Sequence, residues 1–202
     1  MYKTKLLLEN WREFLKEEQE FPYQIYCDMD GVLVDFERGV VDYITNKLER
    51  GEADELYDII NRDYVTKDDL GGPTRNKDIR NYMYEHLDND ADFWRDLPWM
   101  RHGQELWQII APYDPYILTA PMGYGSEIGK QEWIDKNLFP PPKKVFMSHD
   151  KYEWAKKSSI LIDDFTKNTI PWSTHEGIAI LHVDEEMEKT IARLEELGVE
   201  TT

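Results

Sequence analysis

Tyr23-Gln-Ile-Tyr-Cys27 runs directly into Asp28-Met-Asp-Gly-Val-Leu-Val-Asp35. The first five residues are β-prone and stop at two carboxylates separated by a single residue, followed by a glycine that lets the backbone turn sharply. The stretch therefore reads as a first strand followed by an acidic turn. Three further strand-length apolar runs end in polar residues: Tyr116-Ile-Leu-Thr119, Lys144-Val-Phe-Met-Ser148 and Ile160-Leu-Ile-Asp163. Ile178-Ala-Ile-Leu-His182 adds a fifth. Among and after these runs the spacing predicts helices over 103–110, 127–138 and 152–157, with a terminal helix over 185–197. Strands alternating with helices specify an α/β fold, a Rossmann-like three-layer architecture built on a parallel sheet. In open sheets of this kind ligands bind beyond the carboxyl ends of the strands, which is where Asp28, Thr119, Ser148 and Asp163 fall.

Working outward, residues 4–18 place Leu7, Leu8, Trp11, Phe14 and Leu15 at near-helical spacing among charged residues, predicting an amphipathic helix that ends before Pro22. Residues 37–100 contain no buried-strand run, and helix-like segments there alternate with Gly51, Gly71-Gly72-Pro73 and Asp88-Asn-Asp90. This is a helical insertion after the first core strand, placed to form a cap or lid. The expected division is a core of residues 1–36 and 101–202, including the N-terminal helix, and a helical cap over 37–100.

The 202 residues carry 24 Lys and Arg against 41 Asp and Glu, a formal net charge of −17. That balance repels duplex nucleic acid and anionic lipid over most of the surface, so an anionic ligand needs local help from a metal or a lysine pocket. Cys27 is the single cysteine and cannot form an intramolecular disulfide, which fits a cytoplasmic location. The N-terminus has only three consecutive apolar residues, too few for a signal-peptide core or a membrane span.

The chemistry concentrates at Asp28, Asp30 and the pair Asp163-Asp164. Carboxylates this close resist joint ionisation unless a cation holds them, and a hard divalent ion with oxygen ligands, Mg²⁺ above all, answers that repulsion. Such a site suits phosphoryl transfer. One aspartate can attack phosphorus to give an aspartyl-phosphate, and a carboxylate two residues away can protonate the leaving alkoxide and later activate water. Thr119 can hydrogen-bond a phosphate oxygen, and Lys151 can supply positive charge.

Taken together, Asp28-Met-Asp-Gly-Val-Leu-Val-Asp35, Thr119, Lys151 in His149-Asp-Lys151, and Asp163-Asp164 after Ile160-Leu-Ile resemble the four ordered motifs of the haloacid-dehalogenase (HAD) superfamily of phosphatases. Within it, Phe93-Trp-Arg-Asp-Leu-Pro98, Ile117-Leu-Thr-Ala-Pro121, Lys130-Gln-Glu-Trp133 and Ile160-Leu-Ile-Asp-Asp164 resemble the 5′(3′)-deoxyribonucleotidase family over about residues 24–168. The resemblance implies that Asp28 is the nucleophile and a Mg²⁺ ligand. It implies that Asp30 is the acid/base and a ligand through its carbonyl, that Asp163 is the third ligand, and that Asp164 orients metal-bound water. Thr119 and Lys151 would hold the phosphate, and Lys130 matches a lysine near the phosphate site. Two departures stand out: Ala120 replaces a serine, and Phe165 follows the paired aspartates where a charged residue is usual.

The expected activity is that of a Mg²⁺-dependent phosphomonoesterase acting on (deoxy)nucleoside monophosphates. The alternatives are a HAD phosphatase for another small phosphate ester, such as a sugar phosphate, and a catalytically silent HAD-like binding module. Whatever lies beyond the phosphate must be read by the cap, where Phe36, Phe93, Trp94 and Trp99 are the available flat apolar surfaces. Base stacking on an aromatic is worth on the order of 1 to 3 kcal/mol, roughly ten- to a hundredfold in preference over a sugar phosphate.

Overall fold

The computed structural model describes residues 21–52 and 77–201; the helix expected over 4–18 lies outside them. Five parallel strands form one sheet: β1 (Gln24–Cys27), β2 (Tyr116–Thr119), β3 (Lys144–Met147), β4 (Ser159–Asp163) and β5 (Ile178–Leu181). Their order is β3-β2-β1-β4-β5. The sheet is Rossmann-like: the chain steps outward from β1 to β2 and β3, then returns to the other side of β1 for β4 and β5. The direction of winding therefore reverses at the junction of β1 and β4, the place where such sheets open a ligand crevice beyond their carboxyl ends.

Alternate residues of each strand serve opposite faces. Ile25, Cys27, Ile117, Ile160, Ile162 and Ile180 join a large core with the helices of one face, while Tyr26, Leu118 and Leu161 join a smaller one closed by Trp172. Helices thus cover both faces, and buried strands of this kind read as continuous apolar runs. Cys27 is wholly buried in the larger core as a small apolar side chain, with burial pushing its thiol pKa up.

Between β1 and β2 the described residues include the helices α1 (Phe36–Glu49), α2 (Lys77–His86), α3 (Ala91–Arg95) and α4 (Gly103–Ile110). Asp35 caps α1, its carboxylate accepting the Arg38 N–H at 3.0 Å, and Asp90 caps α3 through the Phe93 N–H. The excursion between β1 and β2 is closed at a neck. Val34 bridges Trp99 in antiparallel fashion, Asp35 N–H donates to Pro98 O, and Met100 N–H donates to Leu33 O.

The later helices are α5 (Tyr124–Asn137), α6 (Thr166–Thr174) and α7 (Met187–Glu196). α3 and α5 approach so closely that a Cβ on Gly129 would lie 2.3 Å from the Ala91 carbonyl oxygen. The helix expected over 152–157 is instead a single 3₁₀ turn over Lys151–Trp154, ended by the extended backbone of Ala155 and by Ser159, whose hydroxyl accepts the Lys156 N–H. No described helix is long and apolar enough to cross a membrane.

Candidate active site

Asp28 follows the last residue of β1 and Asp163 ends β4, the two strands that meet where the winding reverses. The ladder continues past β1, with the Asp28 N–H donating to Ile162 O at 2.9 Å. Asp28, Asp163 and Asp164 each offer a carboxylate oxygen, all within 4.8 Å of one another. Lys151, held by the 3₁₀ turn after β3, reaches into this group and is itself 2% exposed. Its Nζ lies 2.8 Å from Asp28 Oδ2 and 2.6 Å from Asp163 Oδ2. Asp28 Oδ1 accepts the Met29 N–H at 2.7 Å.

One lysine does not balance three carboxylates. Withdrawal from water, followed by repulsion from Asp28, pushes Asp163 up to about 6; the same causes, with Asp163 and Asp30 added, push Asp164 up to about 7. Asp164 belongs to a residue that faces solvent, but its carboxyl turns inward beside Gly31. Burial works against the Lys151 charge, yet Asp28 and Asp163 outweigh it and its pKa is raised. The charge imbalance, the all-oxygen donor set and the carboxylate spacing fit a hard divalent cation.

Asp163 is fixed by more than Lys151. The Asn168 amide donates to both of its oxygens at 3.0 Å, and the Phe165 N–H donates to Oδ1 at 2.9 Å. Asn168 lies in the first turn of α6, a helix that the sequence reading leaves out because Pro171 sits within it and its apolar residues show no helical stripe.

After Asp28 the chain turns tightly: the N–H groups of Val32, Leu33 and Val34 all converge on the Met29 carbonyl, and Gly31 has φ +76°. This turn carries Asp30 toward α5. There Lys130, fully buried, donates from Nζ to Asp30 Oδ2 at 2.6 Å, Thr119 Oγ1 at 2.9 Å and Ala120 O at 2.8 Å. The other Asp30 oxygen, Oδ1, is buried and has no hydrogen-bond partner among the described residues. Burial raises the Asp30 pKa, Lys130 opposes that shift, and Asp28 reinforces it.

The structure thus brings Asp28, Asp163, Asp164 and Lys151 into one group, with Asp30, Thr119 and Lys130 in a second beside it. The aromatics divide. Trp94 is 2% exposed, stacks on Phe36 at 5.2 Å and 11°, donates its indole N–H to Leu87 O, and has Lys130 Nζ 5.1 Å from its ring. Phe36 is 9% exposed. The expectation that these two present flat faces to a ligand is corrected: their faces are spent on each other and on Lys130, because α3 is pressed onto α5 across Gly129. Phe93 and Trp99 are half-buried; Trp99 leans on Trp133 at 4.6 Å.

No protein-family model matches the chain, and no curated protein matches it. Solved structures of related shape include a hydrolase from Streptococcus pneumoniae (13% identity, 85% of this chain and 99% of that one, TM-score 0.48). Another is the putative HAD-hydrolase YfnB of Bacillus subtilis bound to magnesium (14%, 84% and 98%, TM-score 0.49). A third is a HAD family hydrolase from Deinococcus radiodurans with bound phosphate and sodium (11%, 89% and 99%, TM-score 0.47).

Proposed function

We propose that the chain is a magnesium-dependent phosphomonoesterase of the haloacid-dehalogenase type, working through an aspartyl-phosphate on Asp28. The observation that carries this reading is the grouping of Asp28, Asp163 and Asp164 around a single lysine at the strand ends. Carboxylates of Asp28 and Asp163, with Asp164 beside them and the Asp30 carbonyl, would hold the ion. Magnesium, when bound, draws charge from the phosphoryl oxygens.

Asp28 attacks phosphorus, and a P–O bond to its carboxylate forms as the P–O bond to the substrate alcohol breaks. Asp30 gives its proton to the departing alkoxide oxygen. In the second half Asp30 takes a proton from water, the water oxygen bonds to phosphorus, and the bond to Asp28 breaks to release inorganic phosphate. Among the described residues Lys151 has two carboxylate partners, which leaves a third N–H to offer a phosphate oxygen, while Thr119 offers its hydroxyl.

The substrate class we propose is the (deoxy)nucleoside monophosphates, with residues 37–100 as a helical cap over a core of 1–36 and 101–202. Half-buried Phe93 and Trp99 support it as surfaces for a base. The packing of Phe36 and Trp94 favours a second reading, a smaller ester such as a sugar phosphate, because it removes two of the four aromatic surfaces. The test is hydrolysis of an aryl phosphate, a panel of nucleoside monophosphates and a panel of sugar phosphates, with Mg²⁺ and with chelator. Turnover that needs Mg²⁺ and is highest on a nucleotide is the expected result. Full activity in excess chelator overturns the metal-dependent mechanism, and a preference for a sugar phosphate overturns the substrate class alone.

A further inference from the structure

We infer that Lys130 is a positioning residue that sets the working geometry of both Asp30 and Thr119 and does not itself bind the phosphate. The inference rests on the phosphatase reading above and replaces the expectation of Lys130 at the phosphate. An ammonium group has three N–H bonds to give. Lys130 gives all three inside the protein, to Asp30 Oδ2, Thr119 Oγ1 and Ala120 O. To reach a phosphate oxygen it would have to abandon one of these partners in a setting where it is 0% exposed and water cannot replace the loss. Lys151 differs on this point, because its two carboxylate partners leave one N–H over.

Each of the three bonds has a consequence for a neighbour. At Asp30 the bond occupies Oδ2, leaving Oδ1 as the oxygen with no partner, so the proton that moves during turnover has one defined carrier. At Thr119 the hydroxyl oxygen accepts from Lys130, so its own hydrogen must point elsewhere and is free to donate to a phosphate oxygen. At Ala120 the carbonyl anchors the ammonium to the end of β2, so all three residues share one rigid reference. Trp94, whose ring lies 5.1 Å from Nζ, walls this seat and keeps water out. The buried aromatic pair thereby acts on the acid/base group through Lys130.

The experiment compares Lys130→Met and Lys130→Gln on two substrates with Mg²⁺: p-nitrophenyl phosphate, whose leaving group departs without a proton, and a nucleoside 5′-monophosphate, whose alkoxide needs one. A lysine that positions the proton carrier costs about a hundredfold or more in kcat on the nucleotide and under about tenfold on the aryl ester, with KM for both changed little. In an Asp30→Asn background the same substitutions then add less than about tenfold on either substrate, the part that acts through Thr119, because Lys130 and Asp30 act as one unit in proton transfer. Equal losses on both substrates, with a rise in KM and weaker inhibition by inorganic phosphate, would make Lys130 a phosphate ligand and overturn the inference. So would full additivity with Asp30→Asn. Lys130→Gln keeps two N–H donors at one bond's shorter reach, so it carries the comparison if the methionine variant does not fold. Inactivity of the unmodified chain on both substrates overturns the phosphatase reading itself, and is distinguished because the wild type is measured first.

Discussion

A Cβ placed on Gly31 would lie 2.1 Å from Oδ2 of Asp164. The turn after the first strand and the carboxylate pair after the fourth therefore share one small space, and the absence of a side chain at position 31 lets Asp164 face its neighbours. Gly31 also holds φ +76°, a backbone conformation that costs other residues about 1 to 2 kcal/mol. Gly31→Ala is expected to lower stability by about that amount and to turn Asp164 away, weakening Mg²⁺ binding measured calorimetrically. Unchanged stability and metal affinity would show that the two residues do not compete for this space.

Stability should fall with rising pH when no metal is present. Asp163 at about 6 and Asp164 at about 7 hold protons in the folded chain that an unfolded aspartate has released near pH 4. Their folded values are raised, so their contribution is complete below about pH 4 and is lost as pH climbs through 6 and 7. Metal-free Tm is expected to drop between pH 5 and 7.5, with a smaller drop in Asp164→Asn. The gain in Tm from Mg²⁺ should grow over the same interval, because protons and the ion compete for the same oxygens. A metal-free Tm that rises with pH would contradict the charge balance described for the site.

The two aspartates of the turn should separate on substitution. Asp28→Asn removes the attacking oxygen and should leave neither turnover nor trapped phosphoenzyme. Asp30→Asn keeps the nucleophile and loses proton transfer, worth roughly 10² to 10⁴ in rate; mass spectrometry after brief mixing with an aryl phosphate should still find a phosphorylated chain. Normal turnover by Asp28→Asn would displace the nucleophile to another residue.

Asn168 grips both oxygens of Asp163. Partners that orient a metal ligand in this way typically contribute 10- to 100-fold in affinity or activity. Asn168→Ala is expected to raise the Mg²⁺ concentration giving half-maximal rate by about that factor while the far-ultraviolet spectrum stays native. An unshifted metal requirement would reduce Asn168 to a helix-start residue.

Trp94 and Phe93 should behave differently although they are adjacent. Trp94→Ala opens a large buried cavity, costs about 3 to 5 kcal/mol of stability and lowers turnover on every substrate. Phe93→Ala, at a half-buried position, is expected to raise KM for nucleotides and spare an aryl phosphate. Equal behaviour of the two variants across substrates would remove Phe93 from substrate recognition.

The strands were legible because parallel strands buried on both faces are short unbroken apolar runs, and three of them lead into or end on Asp28, Thr119 and Asp163. Lys151 was legible through the resemblance of His149-Asp-Lys151 to a family motif, since Lys156 and Lys157 lie close by in the sequence. What escaped the sequence depends on distances between elements. Nothing local tells that Lys130 turns toward Asp30, 100 residues away, or that Trp94 is pressed beneath it by the close approach at Gly129. α6 escaped because Pro171 reads as a helix breaker, and Asn168 escaped with it. The short turn at Lys151–Trp154 resembled a helix because one 3₁₀ turn and the start of an α-helix share their residue preferences.

The neck formed by Val34 with Trp99, and by the Asp35–Pro98 and Leu33–Met100 hydrogen bonds, makes the whole excursion a side circuit whose two ends are stitched together at its base. Loop closure itself adds only about 0.6 kcal/mol per doubling of length, so the circuit tolerates added length where it is not packed, but not at α3, where Trp94 stacks on Phe36 and the helix is pressed onto α5. The seam would still deliver the chain from β1 to β2 at the same spacing. The register of Asp28 against β4 is therefore set by the sheet and by this seam, and does not depend on how long a path the chain takes between its two stitched ends.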